Sequence, residues 1–207
     1  MILDCDLKIE KKLKEIIKSK NNGVMPKLGK LKRKSSYKSD LSMDITNYLY
    51  ELNKVDIASF CGITGISQVT ALTIYSEIGD NINCFKSEKN FTSWLGLAPN
   101  TEISGGKVIS CRIPKKKHHA GQVLRMAAVS LANHKGPLGD YYRRIRAKAG
   151  KQKAVVALAR KLAVIYYRMI NSKEAYNPQA LIDYQNKYKE RRIRYLEKCL
   201  DKLKMTA

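Results

Sequence analysis

The segment KQKAVVALARKLAVIYYRMI, residues 151–170, limits the fold most tightly, because it is apolar on most sides. A helix that is apolar nearly all round must be covered by other elements on nearly every side. The segment therefore predicts a central core helix in a mainly α protein. At 207 residues, the chain is long enough for one such core with helical extensions.

Glycine and cap signals divide the chain before that helix. In VDIASFCGITGISQVTALTIYSEIGD, Gly62 and Gly65 interrupt the chain, and Ser67 or Thr64 can cap a helix that Gly79 closes. Two helices joined by a tight glycine turn form a helix-hairpin-helix shape, whose second helix can hold a DNA phosphate at its N-terminus. Gly65 and Ser67 are candidate DNA contacts on this interpretation. A plain αα-hairpin fits the pattern equally well, because Ser67 stands where the motif has a second glycine.

Three further helices are predicted. The spacing of Ile9, Leu13 and Ile16 indicates the buried seam of a short amphipathic N-terminal helix. The segment SEKNFTSWLGLAP predicts a short helix capped by Ser87, ended at Gly96 and packed through its Phe, Trp and Leu side chains. A long polar helix follows Asn177 and Pro178 and carries three leucines on one side; it either meets a partner or pairs with the N-terminal helix. These leucines are Leu196, Leu200 and Leu203.

A β-hairpin is predicted in EISGGKVISCRIPKKKHH, residues 102–119. The segment ISCRI alternates apolar and polar residues, which is typical of a strand, and Thr101–Ile103 would be its partner. Gly105 and Gly106 would supply the positive φ angles of the connecting turn. The sequence thus predicts a mainly α, helix-hairpin-helix-like domain with one small β-hairpin and helical termini.

The formal net charge of +22 points to a polyanionic partner. Basic residues concentrate in residues 8–38 and 101–170, and a near-neutral folded segment separates the two blocks. The sequence contains no apolar run long enough to span a bilayer and no secretory signal peptide, so no membrane is expected as a partner. Nucleic acid is the commonest partner for a chain of this charge.

No metal site or disulfide framework is expected. The five cysteines are odd in number, scattered and never in a Cys-x-x-Cys pair. His118 and His119 have no cysteine or carboxylate at ligand spacing, which fits polar residues of a basic loop. No cofactor is therefore expected to bind this chain.

Several segments in order resemble the C-terminal transposase domain of the DEDD-type insertion-sequence transposases, a family that includes Piv-like DNA invertases and recombinases guided by a bridge RNA. They are GITGISQVTALTIYSEIGD, FTSWLGLAPNTEISGGKV, LRMAAVSLAN and YYRRIRAKAGKQKAVVALARKLAVIYYRMI. The resemblance covers roughly residues 44–176. It implies a division into a basic helix and linker at 1–43 (a coiled-coil remnant), the transposase domain at 44–176 and a polar helix at 177–207.

The resemblance implies that this domain supplies a serine nucleophile for DNA strand transfer, and the matching position is Ser104. On residue pattern alone, a serine beside two glycines is an ordinary turn residue. Gly105 and Gly106 would let DNA approach closely. Phosphoryl transfer needs positive charge around the phosphate oxygens. The candidate nucleic-acid-binding cations are Lys107, Arg112, Lys115, Lys116, Lys117, Arg125, Arg143 and Arg144.

Full-length family members carry an N-terminal RuvC-like domain with four acidic metal ligands, and that half is not expected among residues 1–207. Asp4, Asp6, Asp40 and Asp44 lie in helical or loop contexts and are not assigned as the four acids. Mg²⁺ is therefore implied only through the missing domain, and strand cutting by this chain alone is not expected. The chain would be a truncated copy of a transposase, a fragment from an interrupted reading frame, or a separately made half that works with a RuvC-like domain in trans.

Three functions compete. The first is the serine-bearing domain of a transposase in the prokaryotic cytoplasm, associated with the nucleoid, with DNA, a guide RNA and further copies of itself as partners. The second is a non-catalytic DNA- or RNA-binding module in which Ser104 is only a turn residue. The third, an RNA-binding protein of ribosomal type, fits the charge but fits the large apolar helix poorly.

Overall fold

The computed structural model describes residues 2–21, 45–79, 81–114 and 118–206. In these ranges the protein is mainly α-helical with one two-stranded antiparallel sheet, which confirms the predicted fold class. Short 3-10 turns lie at Ile82–Cys84 and Leu131–Asn133. The elements are α1 (Ile2–Lys20), α2 (Ile45–Asn53), α3 (Ile57–Cys61), α4 (Gln68–Ile78), α5 (Glu88–Trp94), β1 (Asn100–Ser104), β2 (Lys107–Arg112), α6 (His119–Ser130), α7 (Pro137–Ala149), α8 (Lys151–Ser172) and α9 (Gln179–Thr206).

Two helices begin at the serines that the sequence predicts as caps. The Ser67 hydroxyl accepts a hydrogen bond from the Thr70 amide at 3.1 Å, so α4 begins at the next residue. The Ser87 hydroxyl accepts one from the Asn90 amide at 3.3 Å and begins α5 in the same way. Both caps satisfy amide groups that have no partner within their own helix.

The central core helix is α8, as its composition predicts. Leu158 and Leu162 are fully buried, and the helix packs against α5, α6 and α7. The ring of Tyr166 meets the ring of Phe60 edge-on, with 5.4 Å between centroids. Burial raises the pKa of the Tyr166 hydroxyl far above its ordinary value, because the phenolate would lose its hydration.

The N-terminal helix forms as predicted, but the predicted seam is wrong. Leu13 is buried, whereas Ile9 and Ile16 are exposed and Ile17 takes the inward position instead. Glu10, the residue after Ile9, is also buried. The buried face of α1 is therefore offset by one residue from the face that the apolar spacing predicts. The Glu10 carboxylate is thus buried, whereas the apolar spacing places it on the exposed side of the helix.

The partner of that carboxylate is α2, a helix that the sequence analysis did not predict. The Tyr48 hydroxyl donates a hydrogen bond to Glu10 at 3.2 Å, and Lys14 forms an ion pair with the same carboxylate. A buried carboxylate is tolerated when such partners satisfy it. The polar contact therefore fixes which face of α1 meets α2.

The C-terminal helix also forms as predicted. The Asn177 side chain accepts a hydrogen bond from the Gln179 amide at 2.9 Å, where α9 begins. The predicted basic linker at residues 22–43 lies outside the described residues, as do Asp40 and Asp44. No helix within the described ranges has the length and hydropathy needed to cross a membrane.

Candidate nucleic-acid interface

Ser104 ends the first strand of the hairpin and lies next to its turn. Ser104 pairs with Lys107 across the sheet, and Gly105 and Gly106 between them have φ angles of 56° and 74°. Two central residues with positive φ are characteristic of a type I′ hairpin turn, so the predicted turn is confirmed. All four residues are exposed, and a Cβ added at either glycine would meet no atom within 4 Å. The serine hydroxyl is therefore open to a large ligand such as a duplex.

The hairpin presents large apolar side chains to solvent. Ile103 pairs with Val108 across the strands, and their exposed fractions are 64% and 60%. The register shifts between Glu102 and Ile103, so Ile109 lies in a β-bulge and is 69% exposed. A bulge bends a strand and changes the direction of nearby side chains. Here it lies within two residues of Ser104.

Arg125 anchors the segment that leads into the hairpin. Its guanidinium donates a hydrogen bond to the Gly96 carbonyl at 2.7 Å, and Gly96 precedes β1 by four residues. Leu95 and Leu97 on either side are buried in the core. Arg125 was predicted to contact nucleic acid, and the structure places it as a link between α6 and the base of the hairpin.

Glu77 holds the helix that follows the hairpin. Its two carboxylate oxygens accept hydrogen bonds from the amides of His119, at 2.9 Å, and Ala120, at 3.2 Å, in the first turn of α6. The carboxylate thus supplies the cap that the residue before α6, His118, does not provide. The His118 ring instead lies tilted against the Trp94 ring, with 4.5 Å between ring centroids and 35° between the ring planes.

Replacing Glu77 by alanine is expected to lower the free energy of unfolding by about 2 kcal/mol, because two charge-assisted hydrogen bonds to α6 are lost. Glu77→Gln should cost about half as much, since one amide oxygen can still accept a bond. Urea unfolding followed by far-UV circular dichroism measures both values. Equal losses in the two variants would mean that the carboxylate charge, and not the hydrogen bonds, stabilises the helix.

The glycine turn between α3 and α4 packs against α6. Gly65 has a φ of +86°, and a Cβ there would lie 2.8 Å from the Ala127 carbonyl and 2.9 Å from the Ser130 side chain. Gly65 was predicted to face DNA, and the structure gives it a packing role in the turn. Ser67 remains exposed at the N-terminus of α4, where its hydroxyl caps the helix.

The two predicted arginines of α7 make contacts within the chain. Arg143 donates hydrogen bonds to the Ala132 and His134 carbonyls at 3.3 Å and 3.1 Å and pairs with Asp140. It thereby holds the connection between α6 and α7. Exposed charge alone did not indicate this role in the sequence.

The guanidinium of Arg144 lies among three tyrosine rings. It is 5.4 Å from the centroid of Tyr141 on its own helix, and 5.7 Å and 4.4 Å from those of Tyr184 and Tyr188 on α9. Burial raises the pKa of the Tyr141 hydroxyl from its ordinary value. Cation–π contacts of this kind fasten the first turns of α9 to α7.

The structure brings five predicted site residues together on the hairpin, and Gly65, Ser67, Arg125, Arg143 and Arg144 lie on other elements. Lys115, Lys116 and Lys117 lie outside the described residues. No group of three histidines, cysteines or carboxylates that could hold a metal exists in the part of the chain that the structure describes. The hairpin residues are Ser104, Gly105, Gly106, Lys107 and Arg112.

In comparison with known proteins, residues 58–143 match the model of the Transposase IS116/IS110/IS902 family. This range runs from α3 to α7 and contains the glycine turn and the whole hairpin. The chain is also 29% identical over 119 residues to the transposase for insertion sequence element IS1111A of Coxiella burnetii. The match covers 55% of this chain and 32% of that protein, so the chain spans about a third of the length of this curated relative. The two comparisons support a transposase domain in this chain.

Proposed function

We propose that this chain is the DNA-engaging, serine-bearing domain of a transposase and that Ser104 is its nucleophile. The observation that carries the proposal is the position of Ser104: an exposed hydroxyl beside a Gly-Gly turn, on a hairpin inside the matched range. DNA could reach the hydroxyl without a clash at Gly105 or Gly106. A turn serine would have the same setting, so the match of the surrounding residues to the transposase family model is what favours the nucleophile.

The proposed step is a transesterification at one phosphodiester of DNA. The Ser104 oxygen attacks phosphorus and forms an O–P bond, while the bond from phosphorus to one deoxyribose oxygen breaks. The serine proton leaves to a base, and the departing deoxyribose oxygen gains a proton. One phosphate ester replaces another, so the adduct can be resolved by a second DNA hydroxyl that attacks the same phosphorus.

The serine hydroxyl must be activated by a base or a metal ion, and we assign this role to groups outside the described residues. The charge on the phosphate oxygens must be balanced as the attack proceeds, and Lys107 and Arg112 on the hairpin are placed to contribute. The described residues do not offer a metal site. We assign the acidic metal ligands and their Mg²⁺ to a RuvC-like domain, and we derive no step of this chain through them.

The wider setting follows from the same proposal. The chain would work on DNA in the prokaryotic cytoplasm, near the nucleoid, with a RuvC-like domain in trans, a guide RNA and further copies of itself. Its excess positive charge supports contact with nucleic acid, because each neutralised phosphate releases condensed counterions. The helix-hairpin-helix interpretation of α3 and α4 belongs to the proposal as well, with Ser67 near a phosphate.

DNA binding is expected to fall steeply with salt, and the hairpin cations should contribute to the slope. Replacing Lys107 and Arg112 together by alanine should reduce the slope of log K against log salt by about 2, because each phosphate contact contributes about 0.9. Fluorescence anisotropy of a labelled duplex over a salt series measures this slope. Lys198→Ala, which removes an exposed cation from α9, is the control and should leave the hairpin contribution intact.

A slope that Lys107→Ala/Arg112→Ala leaves unchanged would remove the hairpin from the DNA interface. The second candidate function is a binding module without chemistry, which the regular hairpin turn favours, because Ser104 and Lys107 pair there as ordinary turn-flanking residues. Both functions predict salt-sensitive binding. Only the first predicts a covalent protein–DNA adduct through Ser104.

A further inference from the structure

The outer half of α9 carries an exposed apolar stripe. Ile193, Leu196 and Leu200 follow one another at intervals of three and four residues, and their exposed fractions are 54%, 46% and 56%. In the sequence, Leu203 continues the same spacing. Intervals of three and four are the a and d positions of a coiled coil. A stripe of this kind on a soluble helix indicates a surface that another helix covers.

The body of the protein contacts the first turns of α9, which end before the stripe begins. Tyr184 and Tyr188 contact Arg144 of α7, and Tyr195 continues their line along the helix. At 100° per residue, the line of tyrosines lies roughly 130° around the helix axis from the apolar stripe. Docking of α9 onto α7 therefore leaves the stripe uncovered.

The charged residues beside the stripe favour a second copy of the same helix as its partner. With Ile193 at position a, position e is occupied by Asp183, Glu190, Glu197 and Lys204, while Arg192 occupies position g. In a parallel pair of helices, position g of one copy faces position e of the next heptad of the other. Arg192 would then face Glu197 of the second copy, and the reverse contact would form by symmetry.

We propose that two copies of this chain associate through the outer halves of their α9 helices as a parallel coiled coil. Ile193 and Leu200 occupy position a, and Leu196 and Leu203 occupy position d, so the seam between the two helices is apolar throughout. Basic residues such as Arg194 and Lys198 fall at the outer positions b and f, away from the second helix. The proposal stands independently of any chemistry at Ser104.

An antiparallel pair would place like charges together. In that arrangement position e faces e and g faces g, so Glu197 of one copy would face Glu197 of the other, while Glu190 would face Lys204. In the single chain, the Arg192 guanidinium lies 5.3 Å from the ring centroid of Tyr195. Pairing would exchange this exposed contact for an ion pair across the seam.

Sedimentation equilibrium of the full chain without DNA, over a concentration series, tests the surface. The wild-type chain should form dimers, and Leu196→Gln/Leu200→Gln should raise the dimer dissociation constant at least about 100-fold. Lys198→Gln, at an exposed position f on the outer side of α9, is the control and should leave the constant unchanged. A wild-type chain that stays monomeric at every concentration would overturn the proposal.

A second double variant tests whether α1, instead of α9, forms the dimer interface. Ile9 and Ile16 are exposed on that helix. Ile9→Gln/Ile16→Gln should leave the dimer intact. Loss of the dimer in this pair, with no loss in Leu196→Gln/Leu200→Gln, would assign the interface to α1 and overturn the proposal.

Charge exchange tests the orientation. Arg192→Glu alone or Glu197→Arg alone converts two attractive contacts into two repulsive ones, which should weaken the dimer about tenfold. The double variant Arg192→Glu/Glu197→Arg restores opposite charges and should recover the wild-type constant. Unchanged constants in the single variants, or a double variant that fails to recover the wild-type constant, would overturn the parallel arrangement.

Discussion

Replacing Ser104 by alanine is expected to abolish covalent attachment of the chain to DNA, with a loss of at least about 10⁴-fold, because the attacking oxygen is removed. Affinity for DNA should stay within about twofold, since the serine hydroxyl is one exposed group beside the hairpin cations. The assay combines the chain with a separately expressed DEDD nuclease domain, Mg²⁺ and labelled DNA. A denaturing gel detects the adduct, and mass spectrometry locates the modified serine.

Ser110→Ala is the matched control for this experiment. Ser110 lies on the second strand of the same hairpin, opposite Glu102, so its replacement changes the same element by the same atom. The control should form the adduct at the wild-type level. Adduct formation by Ser104→Ala, or an equal loss in both variants, would assign the matched region a binding role and leave the chemistry to another residue.

Local signals in the sequence predicted the parts of the fold that depend on neighbouring residues. Ser67 and Ser87 begin α4 and α5 because a cap acts over three residues. Gly105 and Gly106 form the hairpin turn because both backbone angles must be positive there. Each of these interactions is complete within one short segment, so one segment suffices to predict it.

Contacts between distant segments were not predictable in the same way. The face of α1 depends on the bond from Tyr48 to Glu10, which joins residues 38 positions apart. Helix α2 could have been found, because Ile45, Leu49 and Leu52 lie on one helical face, but its nine residues are a short window. A pattern of one helix does not reveal the polar partner on the next.

The same difference between local interactions and contacts of distant segments applies to the candidate site. The hairpin and the exposure of Ser104 followed from a turn signal, whereas the positions of the cations did not. Arg125 and Arg143 donate to backbone carbonyls, and Arg144 lies among tyrosines, so three predicted DNA contacts have partners inside the chain. An arginine in a sequence shows its charge but not the carbonyl that its guanidinium meets.

Gly65→Ala is expected to lower the free energy of unfolding by about 2–6 kcal/mol, the sum of two costs. An alanine with a φ of +86° costs about 1–3 kcal/mol in backbone strain. Its Cβ would also lie 2.8 Å from the Ala127 carbonyl, and overpacking of this kind costs a further 1–3 kcal/mol. Urea unfolding monitored by circular dichroism gives the loss.

Gly150→Ala separates the two contributions. Gly150 has the same φ of +86°, but a Cβ there would meet nothing within 4 Å, so only the backbone strain applies. The difference between the two variants, about 1–3 kcal/mol, then measures how tightly the turn packs on α6. DNA affinity of Gly65→Ala, measured at a temperature where the variant is folded, should match the wild type. Gly65→Ala could instead cost no more than Gly150→Ala and yet bind DNA more weakly. The turn would then contact a phosphate, as the helix-hairpin-helix interpretation predicts, because the added methyl group would hinder the duplex and not the packing on α6.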